Sequence, residues 1–407
     1  MIEIVGGTYR EICYEPDWSA LYGSGLRATA ALTELSPNLG FHTFVGVPEK
    51  ENLEHLAASF AFRLATCETI DQTVSFVYEH ALAVPRITPA PHTLRDKHLL
   101  HVNAENILRF GMLEGDAVVH GKRVVYDPQS AFDPCWFEAN GSSAESLAVV
   151  ANLGEWKKLT RTANHTELSA WLRKECGSKV FVVKMGCRGA MVVDSSGTEV
   201  VPAFETERVF PIGSGDVFAA AFAHYWCEGR LAPQEAALLA SKSAANYCCS
   251  RTLPIPRDLS ATDRFAPLPT RPLEDASVSH DFQVYLAGPF FNFAQRWLID
   301  QAREALQDHG LRVFSPLHDV GRGEAEDVAK KDIEGLENSK LVFAVVDGLD
   351  PGTLFEIGYA RARGIPVMVF VQAEKPEDMK MLLGMDCVVC HDFATCVYRA
   401  AWMGLKP

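Results

Sequence analysis

On both sides of one proline-rich stretch, short β-branched runs alternate with amphipathic helical segments. This alternation constrains the fold more than any other feature, because it implies mostly parallel sheets covered by helices. Before the stretch, "HLLHV", "RVVYD", "KVFVVKMG" and "GAMVVD" have the character of strands. "GSGLRATAALTEL", "HTELSAWLRKECG" and "GDVFAAAFAHYWCEG" have the character of helices. After it, "FQVYLAGP", "LRVFSP", "KLVFAVVDG" and "IPVMVFV" predict strands, with helices at "AQRWLIDQAREALQDHG", "EDVAKKDIEGLENS" and "GTLFEIGYARARG". The interruption, "RTLPIPRDLSATDRFAPLPTRPLEDASVSHD", has no apolar period and reads as a partly extended linker. A chain of 407 residues is also long for one core. The expected organisation is therefore an α/β domain over 1–258, a linker over 259–280 and a smaller α/β domain over 281–407.

Bulk properties exclude several classes. The formal charge of −14 argues against a sequence-independent nucleic-acid binder, which needs a net basic face. It leaves room for small anionic ligands, because helix N-termini and Gly-rich turns bind phosphate without net positive charge. Eleven irregularly spaced cysteines, without zinc spacing, suggest reduced thiols in a cytoplasmic protein. No apolar run approaches the ~20 residues needed to span a membrane, and "MIEIVGGTYR" does not resemble a signal peptide.

In parallel α/β sheets, ligands bind at the carboxyl ends of the strands, and the chemistry-bearing motifs fall there. "PIGSGDVFAAAF" places Gly213, Ser214 and Gly215 before a small-residue helix, where converging N–H groups and the helix dipole favour an anion. Asp216 at that mouth is either an N-cap or a base that accepts a proton from an attacking hydroxyl. Asn152 and Glu155 stand in N-x-x-E spacing, and "FVVKMGCRGA" carries Lys184 and Gly186. With "LYGSGLRATAAL" near the start, their order resembles the ribokinase-like sugar and nucleoside kinases (the phosphofructokinase-B type) over roughly residues 1–258. That resemblance implies a three-layer α/β fold, ATP and Mg²⁺ as cofactors, and Asp216 as the base. It implies that Gly213–Gly215 stabilise the phosphoryl group, with Asn152 and Glu155 organising the metal and phosphates. Lys184 and Gly186 belong to the same cofactor site, and Asn246 lies on the helix bordering adenine. Glu11, Gly23, Gly25 and Arg27 would face the acceptor. Arg27 and Glu11 stand where the family usually has Asn and Asp, and Phe210-Pro211-Ile212 replaces its acidic or Thr-rich lead-in. Arg27 thus suggests an acceptor with a phosphate or carboxylate, unless it is a solvated helix residue.

The second part opens on "YLAGPFFNFAQRW", whose strand-to-helix turn puts Gly288 and Pro289 at a phosphate- or sugar-sized site. "KKDIEGLENSKLVFAVVDGLDPGTLFEIGYA" then brings Asp332, Asp347, Asp350 and Glu356. Thr353 and Glu356 fit a capping box, in which the Glu would close a helix start. The same Glu beside other carboxylates fits acid–base or nucleophilic chemistry. The ordered set resembles the nucleoside 2-deoxyribosyltransferase family, including relatives that hydrolyse N-glycosidic bonds of nucleotides. This resemblance implies a flavodoxin-like sheet, Glu356 as nucleophile, and Asp350 and Asp332 managing the base's protonation. Tyr285 would orient the nucleophile, while Asp347, Gly352 and Thr353 would contact substrate. It also implies a homo-oligomer formed through this domain. Lys380 or Met381 lies near the family's sugar-end position, which favours a nucleotide substrate. His318 is either a loop residue or a substrate contact, and "GRGEAEDVAKKD" reads as a mobile loop.

The joint expectation is a bifunctional enzyme acting on nucleosides, nucleotides or sugars. One part is a phosphotransferase and the other cleaves an N-glycosidic bond, by hydrolysis or transfer. The alternative is a nucleotide-sensing, kinase-like regulator controlling an NAD- or nucleotide-degrading effector in stress or anti-phage defence.

Overall fold

The computed structural model of the protein describes residues 1–94, 98–130, 133–261, 264–275 and 282–406. It divides into two compact units, Met1–Glu274 and Asp275–Pro407. Residues 264–274, inside the stretch read as linker, pack on the first unit. Phe204 bridges Pro267, Leu268 N–H donates to Ala203 O at 2.9 Å, and Leu273 is fully buried. The remaining linker positions 276–280 lie outside the described residues, as do 262 and 263.

In chain order the first unit contains β1 (Ile2–Val5), β2 (Arg10–Cys13), β3 (Trp18–Leu21), α1 (Gly23–Leu32), β4 (Leu39–Gly46), α2 (Lys50–Phe60), β5 (Arg63–Ile70), β6 (Ser75–Tyr78) and β7 (Arg86–Thr88). It continues with β8 (His98–Phe110), β9 (Gly115–Asp127), β10 (Ser143–Asn152), α3 (Leu153–Thr160), α4 (His165–Glu175) and β11 (Val180–Lys184). It closes with β12 (Ala190–Asp194), β13 (Gly197–Val201), α5 (Ser214–Ala223) and α6 (Pro233–Ser250). Nine strands form one sheet in the order β13-β12-β11-β10-β9-β8-β1-β4-β5. It is parallel from β11 to β5, and the β11–β12–β13 edge turns antiparallel. A separate four-stranded sheet, β3-β2-β6-β7, carries Glu11 on β2.

Buried aliphatic runs fill the sheet, and aromatic residues lock helices onto it. Trp156 of α3 is fully buried, meets Phe181 edge-on at 5.0 Å and donates its indole N–H to Val182 O at 2.9 Å. The burial holds α3 against the strand, and the hydrogen bond satisfies the one polar atom that burial would strand.

The second unit comprises β14 (Gln283–Ala287), α7 (Phe293–Asp308), β15 (Arg312–Phe314), α8 (Ala325–Glu337), β16 (Leu341–Val345), α9 (Pro351–Ala362), β17 (Val367–Phe370), α10 (Lys380–Gly384), β18 (Val388–Cys390) and α11 (Phe393–Leu405). Its five strands are all parallel in the order β15-β14-β16-β17-β18, the flavodoxin-like 2-1-3-4-5 arrangement. The strand order reverses between β14 and β16, where ligands bind in such sheets. Most of the stretch read as a mobile loop is the helix α8. All eleven cysteines are free, and among the described residues no helix is long and apolar enough to cross a membrane.

Replacing Trp156 with Ala removes a fully buried indole and leaves Val182 O without its donor. The variant should lose about 3–5 kcal/mol, measured by denaturant unfolding of the full chain.

Candidate active sites

At the first site, β9, β10 and β11 end side by side, bringing Asp127, Asn152 and Lys184 to one edge. Lys184 is ion-paired with the fully buried Asp127. Asn152 and Glu155 form a complete capping box on α3. Glu155 N–H donates to Asn152 Oδ1 at 2.9 Å, and Asn152 N–H to Glu155 Oε2 at 2.8 Å. Burial, reinforced by the charge of Asp127, pushes Glu155 up to about 7. Asn152 Oδ1 and Glu155 Oε2 are thus taken up by the start of α3. No cluster of three or more His, Cys, Asp or Glu side chains fit for a metal occurs among the described residues.

Gly213 takes a left-handed φ of +79°, which turns the chain into α5. A Cβ there would also lie 2.2 Å from the Arg27 guanidinium carbon. The glycine thus makes room for an arginine of the same chain. Lys184 stands over the other glycine: its Nζ is 3.4 Å from where a Cβ of Gly215 would sit. The helix N-terminus and this ammonium together fit a phosphate. Ser214 Oγ donates to Pro211 O at 2.8 Å, and Gly186 starts the turn after β11. Asn246 is buried on α6 with Arg264 Nη1 donating to its side-chain oxygen at 3.2 Å.

Arg27 differs from both sequence expectations. It is neither solvated nor open to an incoming anion, being 1% exposed and held by carboxylates of its own chain. Nη1 donates to Glu11 Oε1 at 3.0 Å and to Asp216 Oδ2 at 2.8 Å, while Nη2 pairs with Glu11 Oε2. Glu11 Oε1 also accepts from Gly23 N–H at 3.0 Å. Gly25 N–H donates to Gly7 O at 3.2 Å, tying α1 to the segment after β1. Gln129, unrecognised in the sequence, donates its amide to Asp216 Oδ1 at 3.0 Å. Gln129 sits at φ +48°, and its own N–H reaches Asp127 Oδ1 at 3.3 Å. Such strain in a non-glycine residue marks functional sites, but a sequence carries no sign of it. A cavity of about 270 Å³ opens beside Arg27 and Asp216, walled by Tyr9, Phe76 and Tyr78.

At the second site, the strand reversal places Tyr285 of β14 against Glu356 of α9, with the phenol donating to Glu356 Oε1 at 2.6 Å. Asp350 is the N-cap of α9, Pro351 follows it, and Asp350 Oδ2 accepts from both Thr353 N–H at 2.8 Å and Thr353 Oγ1 at 2.9 Å. The capping-box expectation for Thr353 and Glu356 therefore fails. An Asp-Pro pair is the stronger helix start, because proline suits the first helical position. Glu356 consequently lies a turn inside, free of capping. Burial pushes it up to about 7 against the Tyr285 hydrogen bond, and the nearby Asp332 and Asp350 charges add to the rise. Burial also raises Asp332, whose Oδ1 is buried without a partner among the described residues. Tyr285, stacked on Phe314 at 5.6 Å, is raised by burial and by Glu356.

Other expected contacts have structural duties. A Cβ on Gly288 would lie 2.5 Å from Ile299 Cδ1, so the glycine lets α7 close on the sheet, and Pro289 beside it is buried. Asp347 accepts from Gln372 N–H at 3.0 Å and Ala373 N–H at 2.8 Å, joining the ends of β16 and β17. Gly352 sits in the first turn of α9 beside the Asp350 carboxylate. Lys380 is paired with Glu377, and Met381 is exposed. His318 lies in a short helical turn, with Nδ1 3.0 Å from Ser315 Oγ and Nε2 2.9 Å from Asp300 Oδ1.

Residues 121–255 match the family model of the pfkB family carbohydrate kinases, and residues 284–389 match that of the nucleoside 2-deoxyribosyltransferases. Among solved structures, a ribokinase from Thermotoga maritima is 18% identical, with 64% of this chain and 98% of that chain covered and a TM-score of 0.43. A fructokinase from Vibrio cholerae O395, bound to fructose, ADP and potassium ion, is 13% identical with the same coverage and a TM-score of 0.47. An aminoimidazole riboside kinase from Salmonella enterica, complexed with its riboside and an ATP analogue, is 14% identical, again covering 64% and 98%, with a TM-score of 0.45. No curated protein matches the chain.

The raised Glu356 sets a pH signature. Its folded value of about 7 exceeds the ordinary 4.5, so the folded state holds the proton more tightly than the unfolded chain. The associated stability is fully present below the unfolded value and is lost as pH rises from there through about 7. Over that window the second unit should lose on the order of 3 kcal/mol. Glu356→Gln should flatten the profile, measured by hydrogen exchange of β14 and α9 in the full chain.

Proposed function

We propose that the chain is a bifunctional enzyme of nucleoside or nucleotide metabolism. Its second unit cleaves an N-glycosidic bond, and its first unit moves a phosphoryl group from ATP to a hydroxyl of a small sugar or nucleoside. The observation that carries the first half is the Tyr285–Glu356 hydrogen bond at 2.6 Å beside Asp332, at the strand reversal of a sheet that matches a deoxyribosyltransferase.

Glu356 Oε1 is held by the phenol, which leaves Oε2 to attack the anomeric carbon as the C–N bond breaks. The leaving base takes a proton from Asp332 or Asp350, and water or a second base then releases the glycosyl group. Asp332, whose proton affinity burial also raises, can carry the proton that the base takes while Glu356 attacks as the ionised carboxylate. In the first unit Asp216 would accept the acceptor hydroxyl's proton, while Lys184 and the α5 N-terminus hold the phosphoryl oxygens. ATP, when bound, supplies the phosphoryl group. The exposed Phe291, Phe293 and Phe355 give the second unit an apolar surface that suits self-association.

A second reading is favoured by one observation: Asp216 is already paired with Arg27. A base so held suits a unit that binds a nucleotide without turning it over and controls nucleotide or NAD destruction by the second. Cellular NAD loss that needs Glu356 but not Asp216 would select this reading.

Incubation with ATP, Mg²⁺ and a nucleoside and nucleotide panel tests the first. Glu356→Gln should abolish base release by about 10³-fold or more, on the scale of losing a catalytic nucleophile, and leave phosphorylation intact. Asp216→Asn should do the reverse, and unchanged products in both variants would sink the proposal. Because the nucleophile must be ionised and the proton donor protonated, base release should rise as Glu356 ionises near pH 7 and fall again at higher pH as the donor loses its proton.

A further inference from the structure

The charge balance beside the first unit's cavity points away from an anionic acceptor. Glu11 (5% exposed), Arg27 (1%) and Asp216 (7%) form a buried group of two carboxylates and one guanidinium, with a net charge of −1. All three line the 270 Å³ cavity. The other cation at this edge, Lys184, is ion-paired with Asp127, so that pair adds no net positive charge. Arg27 is therefore already shared between two anions, and a third would enter against an uncompensated negative charge in a poorly solvated place.

Two further observations describe what is missing. Ser24 lines the same cavity and is 4% exposed, and its hydroxyl has no hydrogen-bond partner among the described residues. Buried hydroxyls are normally satisfied, so this one lacks a partner that a ligand could supply. The cavity is also lined by Tyr9, Phe76 and Tyr78, with Tyr9 and Phe76 centred 5.1 Å apart and Phe76 beside Glu11 across the β2–β6 pair. Aromatic faces attract cations, as Tyr22 already does for Arg27 at 5.0 Å.

We propose that the ligand of this cavity carries one protonated amine, as an aminosugar or an amine-bearing nucleoside does. An ammonium has three donors and no acceptor, which suits the unused lone pairs of Glu11 and Asp216 together with Ser24 Oγ. Its charge brings the buried group to neutrality. The inference rests on the proposed phosphotransfer only in treating this ligand as the phosphoryl acceptor, and binding itself is a separate readout.

The test is calorimetric binding to the full chain with matched triplets: glucose, glucosamine and glucuronic acid, and adenosine, 5′-amino-5′-deoxyadenosine and adenosine 5′-monophosphate. In at least one triplet the amine should bind about tenfold or more tighter than its neutral counterpart, with the anion weakest. Glu11→Gln should shrink the amine-over-neutral ratio at least about threefold, and Ser24→Ala should shrink it independently if the first variant does not fold. Absence of an amine preference in both triplets, or an anion binding as tightly as the amine, overturns the inference. Phosphorylation of the same probes is followed separately with ATP. Glucosamine keeps its hydroxyls, so its binding without transfer would count against the kinase reading and leave this one standing.

Discussion

One buried arginine joins three elements of the first unit. Arg27 comes from α1, Glu11 from the four-stranded sheet and Asp216 from the start of α5, and their side chains meet in one ion network. Removing one partner of such a network leaves a charge buried without compensation, at a cost of about 3–5 kcal/mol. The network therefore ties the small sheet to the helix that follows the Gly-rich turn. It also explains the open left-handed glycine at 213, whose missing Cβ admits the guanidinium. The same contacts that shape the cavity set its charge, so architecture and ligand preference share one cause.

In the second unit a carboxylate stays out of helix capping. Asp350 takes the capping duty of α9, which leaves Glu356 one turn inside, buried and facing a phenol rather than the helix's own amides. Burial raises its proton affinity, and neighbouring acids raise it further. In the first unit an N-x-x-E pair of similar spacing behaves in the opposite way. Asn152 and Glu155 close their own helix start, and Glu155 is held by the backbone amide of Asn152. Capping-box spacing alone does not say which role a Glu takes, because the outcome depends on where the helix begins.

Much of the fold was legible. The alternation of strands and helices and most of the named strands appear in the structure because periodicity reports which face a segment buries. The small sheet β3-β2-β6-β7 was not legible, since its strands are short and half-buried and lack a clean alternation. The packing of 264–274 on the first unit was hidden by prolines, which mark extended chain without saying whether it docks. Gln129 gave no signal because its role comes from a left-handed backbone and a partner 87 residues away.

By itself the sequence determined two α/β segments, a Gly-rich turn before a small-residue helix, and an ordered set of Tyr, Asp and Glu. These are properties of local composition and spacing, which survive without a folded partner. Only the tertiary structure decided which groups Arg27 and Glu356 meet. A charged side chain's role depends on who neutralises it, and the partners of both residues lie on elements remote in sequence: Asp216 stands 189 positions from Arg27, and Tyr285 stands 71 from Glu356. Burial then turns those meetings into a shared ion group in one unit and a raised carboxyl in the other.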